Sequence, residues 1–213
     1  MNESQKRFAQ RVLKPFDAFL NRLVHPFCFS AKYSSICVDM EDISTAIAHF
    51  IEGEMPGETA NSVRSKLEAT EPSLKRIRDF SDTRKHGSLR DPKREVVASV
   101  KSRFEYSEAR GFRFLQTVPY TRYKLSRSDD LARDFVSTAT SAINVLNSKL
   151  GLGVKSLREA PTSKEPFRKA ATLWHDPNSE EVSVEAVNLE FVVVLDDGTI
   201  VPVDPPEVEF VVY

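Results

Sequence analysis

The sequence predicts a mainly helical α+β protein: a helical bundle with an inserted β-hairpin and a C-terminal antiparallel β module. Apolar residues recur at helical spacing through much of the first half of the chain and again over 128–150. Stretches 96–106 and 112–125 are rich in Val, Phe, Tyr and Thr and are joined by a turn, as expected of paired strands. From residue 182 onwards, short apolar runs alternate with Asp-Asp-Gly and Pro-Pro breaks, which is typical of short strands.

The first helices are predicted from apolar periodicity and from the signals at their ends. Residues 4–24 place their apolar side chains at helical spacing. Pro15 cannot donate a backbone hydrogen bond, so it either separates two short helices or kinks one. After a loop over 27–37, Asp39 is expected to cap another helix, which Gly53 ends.

Three further helices are predicted, and the last two of them, the helix that ends at Gly87 and the helix over 128–150, are expected to pack on each other. A short helix over 59–69 leads to Thr70-Glu71-Pro72, which combines a capping threonine, an acid and a proline suited to the first helical turn. The helix that starts there is predicted to end at Gly87. Ser128-Asp129-Asp130 should start the strongest helix of the chain, which runs to residue 150.

These elements predict a domain organisation. A length of 213 residues suffices for one generous domain or two small ones. We expect a helical domain over 1–150 with inserted strands at about 95–125, a linker over 151–170, and an acidic β segment over 171–213.

Charge is distributed unevenly along the chain, although the net charge is only −1. Residues 75–94 hold eight Lys or Arg against three Asp, a balance of +5, whereas 176–213 hold ten acids and no Lys or Arg. Such asymmetry suggests an anionic ligand for the basic part or pairing between the two parts. It is equally compatible with two solvated faces that happen to differ.

Several classes of protein are disfavoured by what the sequence lacks. It has no run of eighteen apolar residues, so no membrane span is expected, and Cys28 and Cys37 show no metal-ligand spacing. We therefore expect a cytoplasmic protein with reduced cysteines. No glycine-rich phosphate loop or nucleophile elbow is present, and the four histidines have no zinc-ligand spacing. No cofactor and no metal site are predicted.

The functional signal lies in the helix that ends at Gly87. Arg78, Asp82 and His86 are spaced four residues apart, so they share one face of that helix. A histidine can take the proton of a ribose 2′-hydroxyl, a neighbouring Arg or Lys can hold the phosphate, and an aspartate one turn earlier can orient the imidazole. The predicted catalytic residues are His86, Arg78 and Asp82, and the predicted RNA-binding residues are Lys85, Arg84, Arg90 and Lys75.

The run Ile77–Gly87, IRDFSDTRKHG, resembles the signature helix of HEPN-domain proteins. That resemblance implies a helical bundle, commonly a homodimer, in toxin–antitoxin, abortive-infection or CRISPR-linked systems, many of whose members cleave RNA with an Arg and a His that meet across a dimer cleft. Asp82 and His86 match the polar residue and the histidine of the motif. The position of its arginine is Ser81 here, and Arg78 precedes His86 with seven residues between.

Other interpretations of this helix stay open, a structural role or a non-catalytic contact with RNA or protein, and a separate interpretation concerns the predicted strands. The helix can be purely structural, with surface ion pairs worth about 0.3–0.5 kcal/mol each and His86 favoured by the helix dipole. The basic helix can instead dock an acidic protein partner or the chain's own acidic segment 176–213. The strands also carry basic and aromatic residues suited to single-stranded nucleic acid, although such aromatics more often face a core; they are Arg103, Arg110, Arg113, Arg122, Tyr106, Tyr120 and Tyr123.

Overall fold

The structure of the chain is a computed structural model. The residues that it describes are 2–24, 30–54, 65–66, 68–125, 132–154, 157, 160–173, 188–205 and 207–212. The helices are α1 (Glu3–Phe8), a π-helical segment (Ala9–Leu13), α2 (Lys14–Arg22), α3 (Ser30–Glu54), α4 (Pro72–His86), a 3-10 turn (Pro92–Arg94) and α5 (Phe135–Lys149). The strands are β1 (Val96–Ser107), β2 (Gly111–Tyr123), β3 (Arg133–Asp134), β4 (Ala171–Leu173), β5 (Leu189–Val194), β6 (Ile200–Pro202) and β7 (Phe210–Val212). None of the described helices has the length and the apolar character that crossing a bilayer requires.

The predicted fold class is wrong, because the protein is a mixed α/β structure and not mainly a helical bundle: of the described residues, 47% are helical and 25% lie in strands. Five strands form one sheet in the order β3-β2-β1-β5-β6, while β4 and β7 pair in parallel in a second sheet. The hairpin strands are long, 12 and 13 residues. Strand β5 pairs in parallel with β1, in a register that places Phe104 beside Phe191. An uncovered β1 would expose a row of unpaired backbone groups, and β5 pairs with those over Ser102–Glu105.

The hairpin predicted around Asp-Asp-Gly is confirmed. Strands β5 and β6 are antiparallel, with Val193 opposite Val201. Gly198 adopts a positive φ of 83° in the turn, a conformation that glycine allows at no steric cost. The C-terminal strands are nevertheless not a separate antiparallel module, because β5 extends the hairpin sheet. The strand predicted over 182–187 lies outside the described residues.

Helix α3 begins earlier than the sequence indicated. A loop was expected over 27–37, with Asp39 as cap, yet the helix runs from Ser30 to Glu54. The buried stripe continues upstream of Met40 to Ile36, four residues earlier, so the helical periodicity passes through Asp39. Residues 25–29 are outside the described part of the chain.

The N-terminal helices meet around Pro15. A π-helical segment precedes the proline, and the Lys14 N–H bonds to the Ala9 carbonyl five residues earlier. This wider turn continues the helix past a residue that cannot donate to the ladder. At the start of α1, Asn2 and Gln5 form a capping box, with bonds of 2.8 and 2.7 Å.

The chain divides into two compact units, each built from three separate stretches. The first comprises Met1–Phe19, Val38–Ser99 and Pro119–Glu159; the second comprises Leu20–Cys37, Val100–Val118 and Ala160–Tyr213. The core of the second unit contains Phe104, Phe112, Phe114 and Ala171.

In the first unit, α4 and α5 pack together as predicted. The Phe80 and Phe135 rings lie 6.3 Å apart between centroids, and Ala139 and Ala142 are fully buried. Helix α5 begins at Phe135, where the Asp134 carboxylate accepts the Ser137 N–H at 2.8 Å. The start predicted at 128–130 is wrong, because Arg133 and Asp134 form strand β3 and the helix begins only after them; residues 128–130 themselves lie outside the described part of the chain.

Candidate functional site

Helix α4 presents the candidate residues. Pro72 occupies its first turn, and Glu71 is the N-cap residue but makes no side-chain cap. The prediction that Thr70 caps the helix is therefore wrong; its hydroxyl lies 3.5 Å from the Lys66 carbonyl oxygen. The end predicted at Gly87 is confirmed, since this glycine has a φ of 70° and its N–H bonds to Thr83 O at 2.8 Å.

Asp79 is the centre of a buried cluster of charges. Its side chain is 1% exposed. It accepts hydrogen bonds from Lys75 Nζ at 2.5 Å, from Arg94 Nε and Nη2 at 2.8 and 2.6 Å, and from the Tyr123 hydroxyl at 3.2 Å. A buried carboxylate is tolerated when several donors compensate its lost hydration, as here. Asp79 therefore anchors the helix to the residues around it.

The cluster changes the pKa values of its neighbours. Burial raises the pKa of Tyr123, and the negative charge of Asp79 raises it further. Burial alone would lower the pKa of Lys75, but the hydrogen bond and the charge of Asp79 outweigh it and raise that pKa. Lys75 is thus held in its charged form by Asp79 and does not point to a separate ligand.

Arg78 and Asp82 form the ion pair that their spacing predicts, with 3.3 Å between Arg78 Nε and Asp82 Oδ2. Both also have other partners. Arg78 Nη1 donates to the two carboxylate oxygens of Glu68 at 2.9 and 2.7 Å, and Arg94 Nη2 donates to Asp82 at 3.2 Å. The charge of Arg78 is compensated twice, so a phosphate would have to displace Glu68 or Asp82 to bind it.

Ser81, which occupies the position of the motif arginine, faces the interior. It is 4% exposed, and its hydroxyl lies 3.1 Å from the hydroxyl of Thr45 on α3. This side of α4 is a helix contact, so a guanidinium at this position would meet α3 instead of solvent.

The end of α4 is exposed and basic. Lys85 and His86 are exposed, and within the described part of the chain neither makes a hydrogen bond or an ion pair. Arg84 remains 54% exposed although its Nε lies 2.5 Å from Glu41 Oε1. Arg90 is also exposed. We call residues 84–93, which are the last three residues of α4 and the segment that follows it, the basic end of α4.

The structure thus divides the predicted residues into two sets. Lys75, Arg78 and Asp82 belong to a network of ion pairs, whereas His86 makes no hydrogen bond or ion pair with Asp82 among the described residues. Sequence reasoning did not find the roles of Glu68 and Tyr123. Tyr123 lies 44 residues from Asp79 along the chain, and nothing local signals that contact.

No group of three or more His, Cys, Asp or Glu side chains within the described ranges is arranged to hold a metal ion. Comparisons of the chain with protein-family models, with curated proteins and with solved structures find no match.

Proposed function

We propose that this protein contacts single-stranded RNA through the basic end of α4, and that His86 provides the base for metal-independent cleavage there. The observation that supports the proposal is a contrast within one helix. The buried and half-buried charged side chains of α4 have partners, many of them outside the helix, such as Glu68, Arg94 and Tyr123. The side chains of Lys85 and His86 are exposed and have no hydrogen-bond or ion-pair partner among the described residues.

The charge of this surface suits phosphate. Residues 84–93 hold four Lys or Arg and one Asp, a balance of +3. Cations at the C-terminal end of a helix are favoured by the helix dipole, so Lys85 sits where a positive charge is stable. Contacts of this kind bind any RNA sequence and weaken steeply with salt, because they release counterions.

His86 contributes the chemistry. Its imidazole would accept the proton of a ribose 2′-hydroxyl, whose oxygen attacks the adjacent phosphorus. The P–O5′ bond breaks to leave a 2′,3′-cyclic phosphate, and the departing 5′-oxygen takes a proton from water to become a 5′-hydroxyl. Lys85 would stabilise the charge that develops on the phosphate. Arg78 can take this role only after it leaves Glu68, so the proposal assigns phosphate binding to Lys85 first.

The resemblance to HEPN proteins adds a homodimer, an antitoxin-like protein partner and a role in defence to the proposal. These rest on the motif alone. If the protein is a homodimer, light scattering after size-exclusion chromatography should give twice the chain mass of 24.1 kDa.

Binding is tested with a fluorescein-labelled single-stranded RNA of mixed sequence, followed by anisotropy. We expect the double variant K85Q/R90Q to bind at least about five-fold more weakly than the wild type, with a slope of log Kd against log salt reduced by about 0.7 per lost phosphate contact. Lys149→Gln is the control, because Lys149 is an exposed lysine in the last turn of another helix, α5. Equal affinity of K85Q/R90Q and K149Q would refute the contact.

Cleavage is tested separately with the same RNA in excess chelator. We expect His86→Ala to abolish cleavage and to retain the wild-type melting temperature, since the side chain is exposed. His49→Ala is the control, an exposed histidine on α3. Undiminished cleavage by H86A, or RNA binding without cleavage by the wild type, would remove the catalytic part and leave the contact.

A further inference from the structure

The second unit holds a basic surface of its own, smaller than the sequence suggests. Two of the arginines on the long strands are neutralised: Arg103 Nε donates to Glu190 Oε2 at 2.5 Å, and Arg113 donates to Glu105 at 2.5 Å. Their side chains are only 14% and 32% exposed. These two arginines therefore mainly stabilise the sheet through ion pairs.

Arg110, in the turn between β1 and β2, differs from them. Its side chain is 62% exposed and lies 3.8 Å from Glu105, a carboxylate that Arg113 already holds more closely. The Arg110 guanidinium lies over the ring of Phe167, with its Cζ 4.0 Å from the ring centroid. One side of this planar cation lies against an aromatic ring, its Nε also donates to Ser107 Oγ at 3.4 Å, and most of the remaining side chain is exposed.

The backbone holds this stack in place. Phe112 and Arg168 exchange two backbone hydrogen bonds of 2.7 Å each, which pairs β2 with the segment that carries Phe167. Gly111 permits this approach, because a Cβ there would lie 2.2 Å from the Arg168 carbonyl oxygen. The stack is thus positioned by main-chain pairing and not by flexible side chains alone.

Further cations flank the stack. The side chains of Arg168 and Lys169 are exposed and form no hydrogen bond or ion pair within the described part of the chain. Residues 105–113 and 164–169 together hold five Lys or Arg against the acids Glu105, Glu108 and Glu165, a balance of +2. The surface combines a planar stacked cation with adjacent positive charges.

We infer that the surface formed by Arg110, Phe167, Arg168 and Lys169 is a second binding site for single-stranded nucleic acid. A base stacks on the outer face of the Arg110 guanidinium, which Phe167 supports from below, and the neighbouring phosphates contact Arg168 and Lys169. An acidic peptide would match the charge, but its carboxylates pair with the N–H edge of a guanidinium and would leave the outer face of Arg110 unused. This site belongs to the second unit and does not depend on the basic end of α4.

The test measures binding of fluorescein-labelled oligouridine, twelve nucleotides long (a probe length chosen on the order of one binding site), to the full chain. We expect Arg110→Gln to raise Kd at least about five-fold, the lower bound for the loss of one stacked base. Arg110→Lys keeps the charge without the planar face, so it should bind as weakly as R110Q. The double variant R168Q/K169Q should reduce the salt slope by about 1.4, since two phosphate contacts are lost.

Arg11→Gln, an exposed arginine of the first unit, is the control and should bind as the wild type does. The inference is overturned if R110Q binds as tightly as R11Q, if R110K restores full affinity, or if an acidic peptide and not oligouridine responds to these variants. Should R110Q alter the fold, R168Q/K169Q at two exposed positions still decides the matter.

The two sites can fail separately. Loss of affinity in R110Q with none in K85Q/R90Q would support the second site and refute the contact at α4. The opposite pattern would refute the second site alone.

Discussion

The guanidinium of Arg94 donates two hydrogen bonds to the carboxylate of Asp79, at 2.8 and 2.6 Å. The pair joins α4 to the residues that precede β1, since Arg94 ends the 3-10 turn before that strand. Thr83 makes a second link there, because its hydroxyl accepts the Val96 N–H at 3.1 Å. Part of the basic run therefore fixes the fold, and only its remainder is exposed to a ligand.

Removing the carboxylate of Asp79 should destabilise the protein. Breaking a buried ion pair from one side costs about 3–5 kcal/mol, and because Lys75 and Arg94 are 45% and 35% exposed they can regain water, so we expect about 3 kcal/mol for Asp79→Ala. Urea denaturation, monitored by circular dichroism, measures this loss in the free energy of unfolding. Asp42→Ala, at an exposed carboxylate on α3, should change stability by less than about 0.5 kcal/mol. Equal midpoints for the two variants would show that the cluster contributes nothing.

Glu95 should make stability depend on pH in the acid range. The hydrogen bond from Lys124, then that from the Leu89 N–H, holds the pKa of Glu95 below its ordinary value of 4.5. The unfolded chain therefore takes up this proton at higher pH than the folded chain does. The stabilisation is present above pH 4.5 and is lost as the pH falls through the lower folded value.

The check is the free energy of unfolding of Glu95→Gln and wild type between about pH 3 and pH 6, a range that spans the ordinary glutamate pKa. We expect a shallower decline for E95Q. Glu108→Gln, at an exposed glutamate, should decline as the wild type does. Parallel curves for E95Q and wild type would contradict the assigned role of Lys124.

Restoring the motif arginine should damage the fold. Ser81→Arg places a guanidinium at a position that is 4% exposed and in contact with Thr45 on α3. Burying an unpaired charge, together with overpacking, should lower stability by several kcal/mol, whereas Ser81→Ala should cost about 1 kcal/mol. Thermal unfolding measures both. An S81R protein as stable as wild type and more active on RNA would show that α4 can present this position to a ligand.

Deleting residues 176–213 separates a structural role of the acidic segment from a masking role. This segment provides β5, whose Phe191 packs 6.0 Å from Phe104 between ring centroids, and whose Glu190 pairs with Arg103. We expect the shortened chain to lose the cooperative unfolding transition of the second unit in calorimetry and to be cut rapidly by protease. A stable truncated protein that binds RNA more tightly would support the masking interpretation instead.

Local signals predicted the local features well. Glycine at the end of α4, the Asp-Asp-Gly hairpin and the apolar face of α5 were all identified from neighbouring residues, and each is confirmed. The parallel pairing of β1 with β5 was missed, because Arg103 and Glu190 are 87 residues apart and strand pairing at that distance leaves no periodic trace. The loop assigned before Asp39 was wrong because a polar residue at a helix start and one inside a helix look alike in sequence.

The sequence by itself determined where the charges of α4 lie on the helix, since a four-residue spacing places Arg78 beside Asp82 in any α-helix. Only the tertiary structure decided which charges are buried and which face solvent. Asp79 is buried because Arg94 and Tyr123, which belong to other parts of the chain, bind its carboxylate. Lys85 and His86 follow the last buried residue of the helix and are exposed. Burial depends on what packs against a helix, and helical periodicity alone does not carry that information.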